Sequence, residues 1–106
     1  MEGHSKKLMT FLMENQGKDF DATIIDEIEG HVGFSFTNYI KRAKIHIQSG
    51  RITVSEPNTG KYFCLPMSGI EQFCDKTSGR YDIAVTIKYY NGYSINIQIF
   101  EPGWKD

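Results

Sequence analysis

Apolar residues near the start of the chain recur with the spacing of an α-helix. Leu8 and Leu12 lie four positions apart, as do Met9 and Met13, so each pair shares one side of a helical turn. Gly17 follows, and glycine commonly ends helices. The pattern predicts a first helix over residues 4–16.

A second helix is expected after a short linker. Asp21 can cap its first turn, Ile24, Ile25 and Ile28 would share one face, and Gly30 would end it. Acidic residues in its first half would be stabilised by the helix dipole. The same isoleucine-rich run also suits a β-strand, since β-branched residues favour sheets.

Residues 35–50 admit two interpretations. In the first, Ser35 caps a third helix that Gly50 ends, and its apolar residues form one stripe, with polar and basic residues opposite. That stripe comprises Phe36, Tyr39, Ile40, Ala43 and Ile47. Ile45 falls outside it. In the alternative, residues 44–48 form a strand that pairs with residues 51–55 through a tight turn. The helix is the main interpretation.

Beyond residue 50 the hydrophobic period changes to two, which indicates strands. Residues 51–55 and 61–65 alternate on either side of the turn-forming segment 57–60, which predicts a hairpin. Residues 67–74 are expected to form a short helical turn. A second hairpin is predicted over residues 81–101, because alternating isoleucines and valines flank Asn91-Gly92, a strong turn signal.

Composition narrows the class of protein. A chain of 106 residues with 40% hydrophobic and 24% charged residues predicts a single soluble domain over residues 1–106. No apolar run is long enough to cross a bilayer. The two cysteines, Cys64 and Cys74, follow phenylalanines, so they are expected to be reduced and buried, in a cytoplasmic protein.

The segment Val32-Gly33-Phe34-Ser35 resembles the turn of the helix-turn-helix in bacterial regulators of the arabinose-operon type. Gly33 permits a sharp interhelical turn, and Ser35 caps the next helix. With the hairpin that follows, the order of elements resembles a winged helix. The expected fold is therefore α+β: a three-helix winged helix-turn-helix over residues 5–50, a β-hairpin wing over residues 51–66 and an additional C-terminal antiparallel β-hairpin.

This resemblance implies a DNA-binding transcriptional regulator that acts as a homodimer and whose third helix reads double-stranded DNA. The residues expected to contact nucleic acid are Ser35, Phe36, Thr37, Asn38, Lys41, Arg42, Lys44, Asn58, Thr59 and Lys61. The net charge of -1 is low for such a function, although the basic residues are concentrated in one segment.

Two other functions remain open at this point. One is a small non-catalytic module that binds a host protein, such as an inhibitor or adaptor, and the composition suggests a virus or mobile element as its source. The other follows from the strand interpretation and is a small β-barrel that binds RNA or forms rings. No enzyme activity, cofactor or metal site is expected, because His4, His31 and His46 lie far apart without metal-ligand spacing.

Overall fold

One helix and eight strands make up the described part of the chain. The computed structural model describes residues 2–26, 34–80 and 82–102. Helix α1 spans Glu2–Glu14. The strands are β1 Asp19–Asp26, β2 Phe34–Ile40, β3 Lys44–Gln48, β4 Arg51–Ser55, β5 Tyr62–Pro66, β6 Ile70–Asp75, β7 Ile83–Tyr89 and β8 Tyr93–Phe100.

The strands form two antiparallel sheets. The five-stranded sheet has the order β2-β1-β8-β7-β6, and the three-stranded sheet has the order β3-β4-β5. The three-stranded sheet is a meander, in which each strand pairs with its neighbour in the chain. Because β2 and β3 are consecutive, the chain passes from one sheet to the other within residues 41–43.

Both sheets and the helix contribute to one hydrophobic core. Leu8 and Leu12 of α1 are completely buried, which places the apolar side of the helix against the sheets. Phe11 of α1 packs edge-to-face on Phe73 of β6, with ring centroids 6.0 Å apart. The predicted first helix is therefore confirmed, although it ends two residues earlier than expected. At 13 residues, it is too short to cross a membrane.

The predicted second helix is wrong. Residues 19–26 form β1, which lies between β2 and β8 in the five-stranded sheet. Phe20 and Ala22, two positions apart on this strand, are completely buried and face the core together. The isoleucines at 24 and 25, which fit a helical face equally well, are β-branched and pack readily between two neighbouring strands. The expected helix end at Gly30 lies outside the described residues.

The predicted third helix is also wrong. The strand alternative for residues 44–48 is confirmed, whereas a strand at residues 34–40 belongs to neither interpretation. Residues 34–40 form β2, and residues 44–48 form β3, which pairs with β4 through the turn Ser49-Gly50. Both turn residues have positive φ, 52° and 77°, as a two-residue hairpin turn with the twist of the strands requires. Ile45, the residue that did not fit the helical stripe, is buried opposite Val54.

The helix-turn-helix resemblance fails with these helices. Of its motif, Phe34 and Ser35 lie on β2, whereas Val32 and Gly33 fall outside the described residues. With one helix and two antiparallel sheets among its described residues, the protein is predominantly β and not a three-helix α+β winged helix. The DNA-binding regulator and the viral or mobile-element source therefore have no support.

Both predicted hairpins are confirmed as elements. β4 pairs with β5, and β7 pairs with β8 around Asn91-Gly92. The segment 67–74, expected to be a helical turn, instead contributes β6 to the edge of the five-stranded sheet. The alternative of a small β-barrel predicts one closed sheet, whereas the strand pairings of the described residues give two separate sheets.

Candidate functional site

The residues expected to contact DNA do not share one helix face. Four of them belong to β2, where Thr37 is exposed and Asn38 is half-buried; the side chains of Ser35 and Phe36 are not described. Lys41 and Arg42 lie in the link between the sheets, Lys44 begins β3, and Asn58, Thr59 and Lys61 lie in or beside the β4–β5 turn. Of the predicted residues, only those in the inter-sheet link, at the start of β3 and around the β4–β5 turn lie close to the three-stranded sheet.

Glu56 organises that end of the three-stranded sheet. Its Oε1 accepts the backbone N–H of Lys41 at 2.8 Å, and its Oε2 accepts the hydroxyl of Thr59 at 2.7 Å. Its own N–H donates to the carbonyl of Lys61 at 2.7 Å, which closes the hairpin. Glu56 therefore joins the inter-sheet link to the β4–β5 turn.

These contacts favour the ionised carboxylate. The N–H of Lys41 lowers the pKa of Glu56 most, and the hydroxyl of Thr59 lowers that pKa further. Partial desolvation opposes them, while the charges of Lys61 and Lys41 act in the same direction as the hydrogen bonds. Glu56 is thus a structural anion whose contacts fix neighbouring backbone, and its carboxylate does not extend into solvent as a reactive group would.

The three-stranded sheet has one side in the core and one side in solvent. Ile45, Ile52, Val54, Phe63 and Leu65 alternate along the strands and point inward. The residues between them form what we call the outer face: Lys44, His46 and Gln48 of β3, Arg51, Thr53 and Ser55 of β4, and Tyr62, Cys64 and Pro66 of β5. This face is a surface of nine residues on three regularly spaced strands.

Contacts across the outer face confirm that these side chains are neighbours. The hydroxyl of Thr53 lies 3.5 Å from the sulfur of Cys64, directly across the β4–β5 ladder. His46 Nε2 lies 3.2 Å from Gln48 Oε1 on β3. The expected burial of Cys64 is wrong, since its thiol belongs to this exposed face, whereas Cys74 is half-buried.

The outer face is basic and carries an exposed aromatic ring. Its nine residues include Lys44, Arg51 and His46 but no Asp or Glu. Tyr62 is 61% exposed, although a tyrosine ring normally gains from burial. Tyrosine and arginine are the residue types over-represented at the energetic centres of protein interfaces. The chemistry of this face therefore fits an acidic protein surface.

The two edges of the three-stranded sheet are not equivalent. At β3, the side chain of Gln16, just beyond α1, accepts the N–H of Ile45 at 2.9 Å. A neighbouring pair of backbone bonds, Gly17 N–H to Ala43 O and Ala43 N–H to Lys18 O, holds the same segment against the start of β3. The helix end thus occupies the β3 edge, whereas no strand of the described residues pairs with the outer side of β5.

Comparison with other proteins adds no family. No protein-family model matches the chain, and no curated protein or solved structure is significantly similar to it. Function must therefore be argued from the geometry of the described surfaces.

Two cavities lie elsewhere and indicate no ligand class. An open groove of about 660 Å³ runs between α1 and β6 over Phe11 and Phe73, but its rim mixes lysines with Glu14 and Asp75. A depression of about 420 Å³ on the five-stranded sheet is lined by short polar side chains, two of which, Thr86 and Asn96, bond each other. Within residues 2–26, 34–80 and 82–102, no three His, Cys, Asp or Glu side chains cluster as metal ligands would.

Sequence reasoning missed Arg51, His46 and Tyr62 as site residues. Each has a signal in the sequence, because residues 44–48, 51–55 and 61–65 all alternate between apolar and polar positions. Once the three strands are paired, the polar positions must share one face. This shared face follows from the sequence only if residues 44–48 are interpreted as a strand.

Proposed function

We propose that this protein is a non-catalytic protein-binding module that uses the outer face to bind an acidic segment of another protein. One observation carries the proposal: a solvent-exposed sheet face combines Arg51, Lys44 and a 61% exposed Tyr62 without any carboxylate. Charge complementarity of this kind steers encounter and selects partners. The free thiols of Cys64 and Cys74 support a cytoplasmic location.

The same face is a poor platform for nucleic acid. Binding to a phosphate backbone requires many clustered cations, whereas the outer face has two permanent positive charges and one histidine. Single-stranded nucleic acid would also need a series of aromatic rings for successive bases, and the face has one. Both considerations favour a protein partner over RNA.

The proposal is tested by selecting binders from a displayed library of random 12-residue peptides. Enriched peptides are expected to be rich in Asp and Glu, and Arg51→Glu is expected to weaken their binding about tenfold or more, because it replaces attraction by repulsion. Raising the salt concentration should weaken binding to the parent protein, since exposed charges are screened.

Lys88→Glu is the matched control. Lys88 is exposed on β7 in the other sheet, so the same charge reversal there should leave peptide affinity unchanged. The proposal fails if no peptide is enriched, if enriched peptides lack acidic residues, or if Arg51→Glu and Lys88→Glu act equally. Tighter binding of a single-stranded RNA oligonucleotide at the same face would replace the protein partner by a nucleic acid.

A further inference from the structure

The two ends of the β4–β5 ladder show which of its residue pairs exchange backbone hydrogen bonds, a pattern that we call the phase of the ladder. At one end Glu56 N–H donates to Lys61 O, and at the other Met67 N–H donates to Gly50 O. In an antiparallel pair, hydrogen-bonded positions alternate with non-hydrogen-bonded ones. The pairs between these ends that share this phase are Val54 with Phe63 and Ile52 with Leu65.

It follows that the intervening residues of β5 direct their backbone groups away from β4. These residues are Tyr62, Cys64 and Pro66, whose N–H or C=O groups line the outer edge of the sheet. Independent evidence supports this phase, because the Pro66 carbonyl accepts the hydroxyl of Tyr89, at 2.6 Å, from outside the sheet. Tyr62 and Cys64 therefore each present a donor and an acceptor at the edge.

The open part of this edge has defined limits. Pro66 has no N–H and its carbonyl is already bonded to Tyr89, so the edge ends after Cys64. The β4–β5 turn closes the other end at Lys61. Two residues remain, which can offer four backbone hydrogen bonds to an added strand.

The β3 and β6 edges are less accessible. On β3, the phase of the ladder directs the backbones of Ile45 and Ile47 outward, but the N–H of Ile45 is already bonded to Gln16. On β6, the helix packs along the edge strand through Phe11 and Phe73. Of the two edges of the three-stranded sheet, which carries the outer face, β5 is therefore the one suited to receive a strand; β2, the remaining edge, belongs to the five-stranded sheet.

We infer that the acidic segment binds by adding a fourth strand to the three-stranded sheet at β5, pairing with Tyr62 and Cys64. This inference rests on the proposed function. Arg51 lies opposite Pro66, so a Glu that the added strand carries past Cys64, level with Pro66, lies two strand spacings, about 10 Å, from the backbone of Arg51, and the two side chains bridge that distance together. Alternate side chains of the added strand would also pack beside the ring of Tyr62.

Charge also argues against a second copy of this chain as the occupant. Pairing β5 with β5 of another copy would place two basic outer faces side by side in one continuous sheet. Such a pair gains no attraction between opposite charges, because neither outer face carries a carboxylate, whereas an acidic strand would supply it. The partner is therefore a different, acidic chain.

The test uses the acidic peptides obtained from the library and leaves the protein unchanged. Each backbone amide of a selected peptide is N-methylated in turn. Amides that bond to β5 should lose about tenfold or more in affinity when methylated, whereas intervening amides, which point away, should tolerate the change. Losses that alternate along the peptide are the signature of strand addition.

A protein variant tests the same edge from the other side. Cys64→Pro removes an N–H that points outward, so it should weaken peptide binding about tenfold, and by more than Cys64→Ala, which keeps that N–H and removes only the thiol. The N-methyl series decides the question if Cys64→Pro does not fold.

The outcomes separate the two claims. If methylation is tolerated at every position while Arg51→Glu still abolishes binding, strand addition is wrong and the proposed function stands. If Arg51→Glu has no effect, both are wrong. If sedimentation shows that the peptide-free protein dimerises and that Cys64→Pro prevents this, the occupant is a second copy and the acidic partner is excluded.

Discussion

Glu56 shows how one carboxylate can connect two sheets. It lies at the end of β4, yet it accepts hydrogen bonds from Lys41 in the inter-sheet link and from Thr59 in the turn. Hydrogen bonds to a charged acceptor are stronger than those to a neutral one, so the ionised form holds this junction best. The stability of the junction must therefore depend on pH.

We expect Glu56→Gln to destabilise the protein at pH 7 in a pH-dependent way. The folded-state pKa of Glu56 lies below its usual value of 4.5, so its ionised contacts stabilise the fold above that pH and lose this effect as pH falls through the folded pKa. Urea unfolding at several pH values should show a gap between parent and variant that narrows below pH 4.5. Glu71→Gln, an exposed carboxylate on β6, is the control. A gap that is constant with pH would contradict this account.

Tyr89 makes the opposite prediction at alkaline pH. Burial raises its pKa from 10.0 to about 12, so the neutral phenol is favoured in the fold. Its stabilising effect is complete below pH 10 and is lost as pH rises through the folded pKa. Tyr89→Phe should cost about 1 kcal/mol at neutral pH, because the bond to Pro66 is lost, and should flatten the decline between pH 10 and 12.

Denaturant titration over this pH range, with Tyr90→Phe as control, measures the effect. Tyr90 is 69% exposed, so its replacement should change neither the stability at neutral pH nor the alkaline decline. Equal declines in the parent and Tyr89→Phe proteins would refute the assignment to Tyr89.

The rates of amide hydrogen exchange should show which backbone N–H groups of the three-stranded sheet form hydrogen bonds within it. Along β5, the N–H of Phe63 and Leu65 should exchange slowly, since they bond to β4, whereas those of Tyr62 and Cys64 should exchange fast. On β3, the N–H of Ile45 points away from β4 and would be expected to exchange fast. It should nevertheless exchange slowly, because the side chain of Gln16 accepts its hydrogen bond.

NMR measures the exchange rate of each backbone amide separately and therefore tests this arrangement at each residue. Gln16→Ala should accelerate the exchange of Ile45 and leave the amides of β5 unchanged. Uniformly slow exchange along β5 would show that something already covers this edge, and it would remove the basis for strand addition.

The elements differ in how far the sequence determines them. The β7–β8 hairpin was predictable because seven residues alternate without interruption before Asn91-Gly92. Residues 35–49 were not, because the apolar positions of two short strands and a bend also match one helical stripe. What decides between them is pairing with distant residues, such as Ala22 on Asn38, and pairing of this kind is not visible in local spacing.

For the whole molecule, the same limit applies to the candidate site. Lys44 and Lys61 were identified from local charge, and the structure places both at the margin of the three-stranded sheet. Arg51 and Tyr62 can be recognised as site residues only when the three strands are aligned, because the register of the strands places them on the same face. A surface built from three strands cannot be recognised from any one of them.

The side chain of Gln16 at the β3 edge also limits how many molecules can join through this sheet. Because that amide already accepts the N–H of Ile45, a strand added at β3 would have to displace it, so addition at β5 is favoured over addition on the opposite side. Complexes formed through this sheet should therefore favour one partner per chain over growth into fibres.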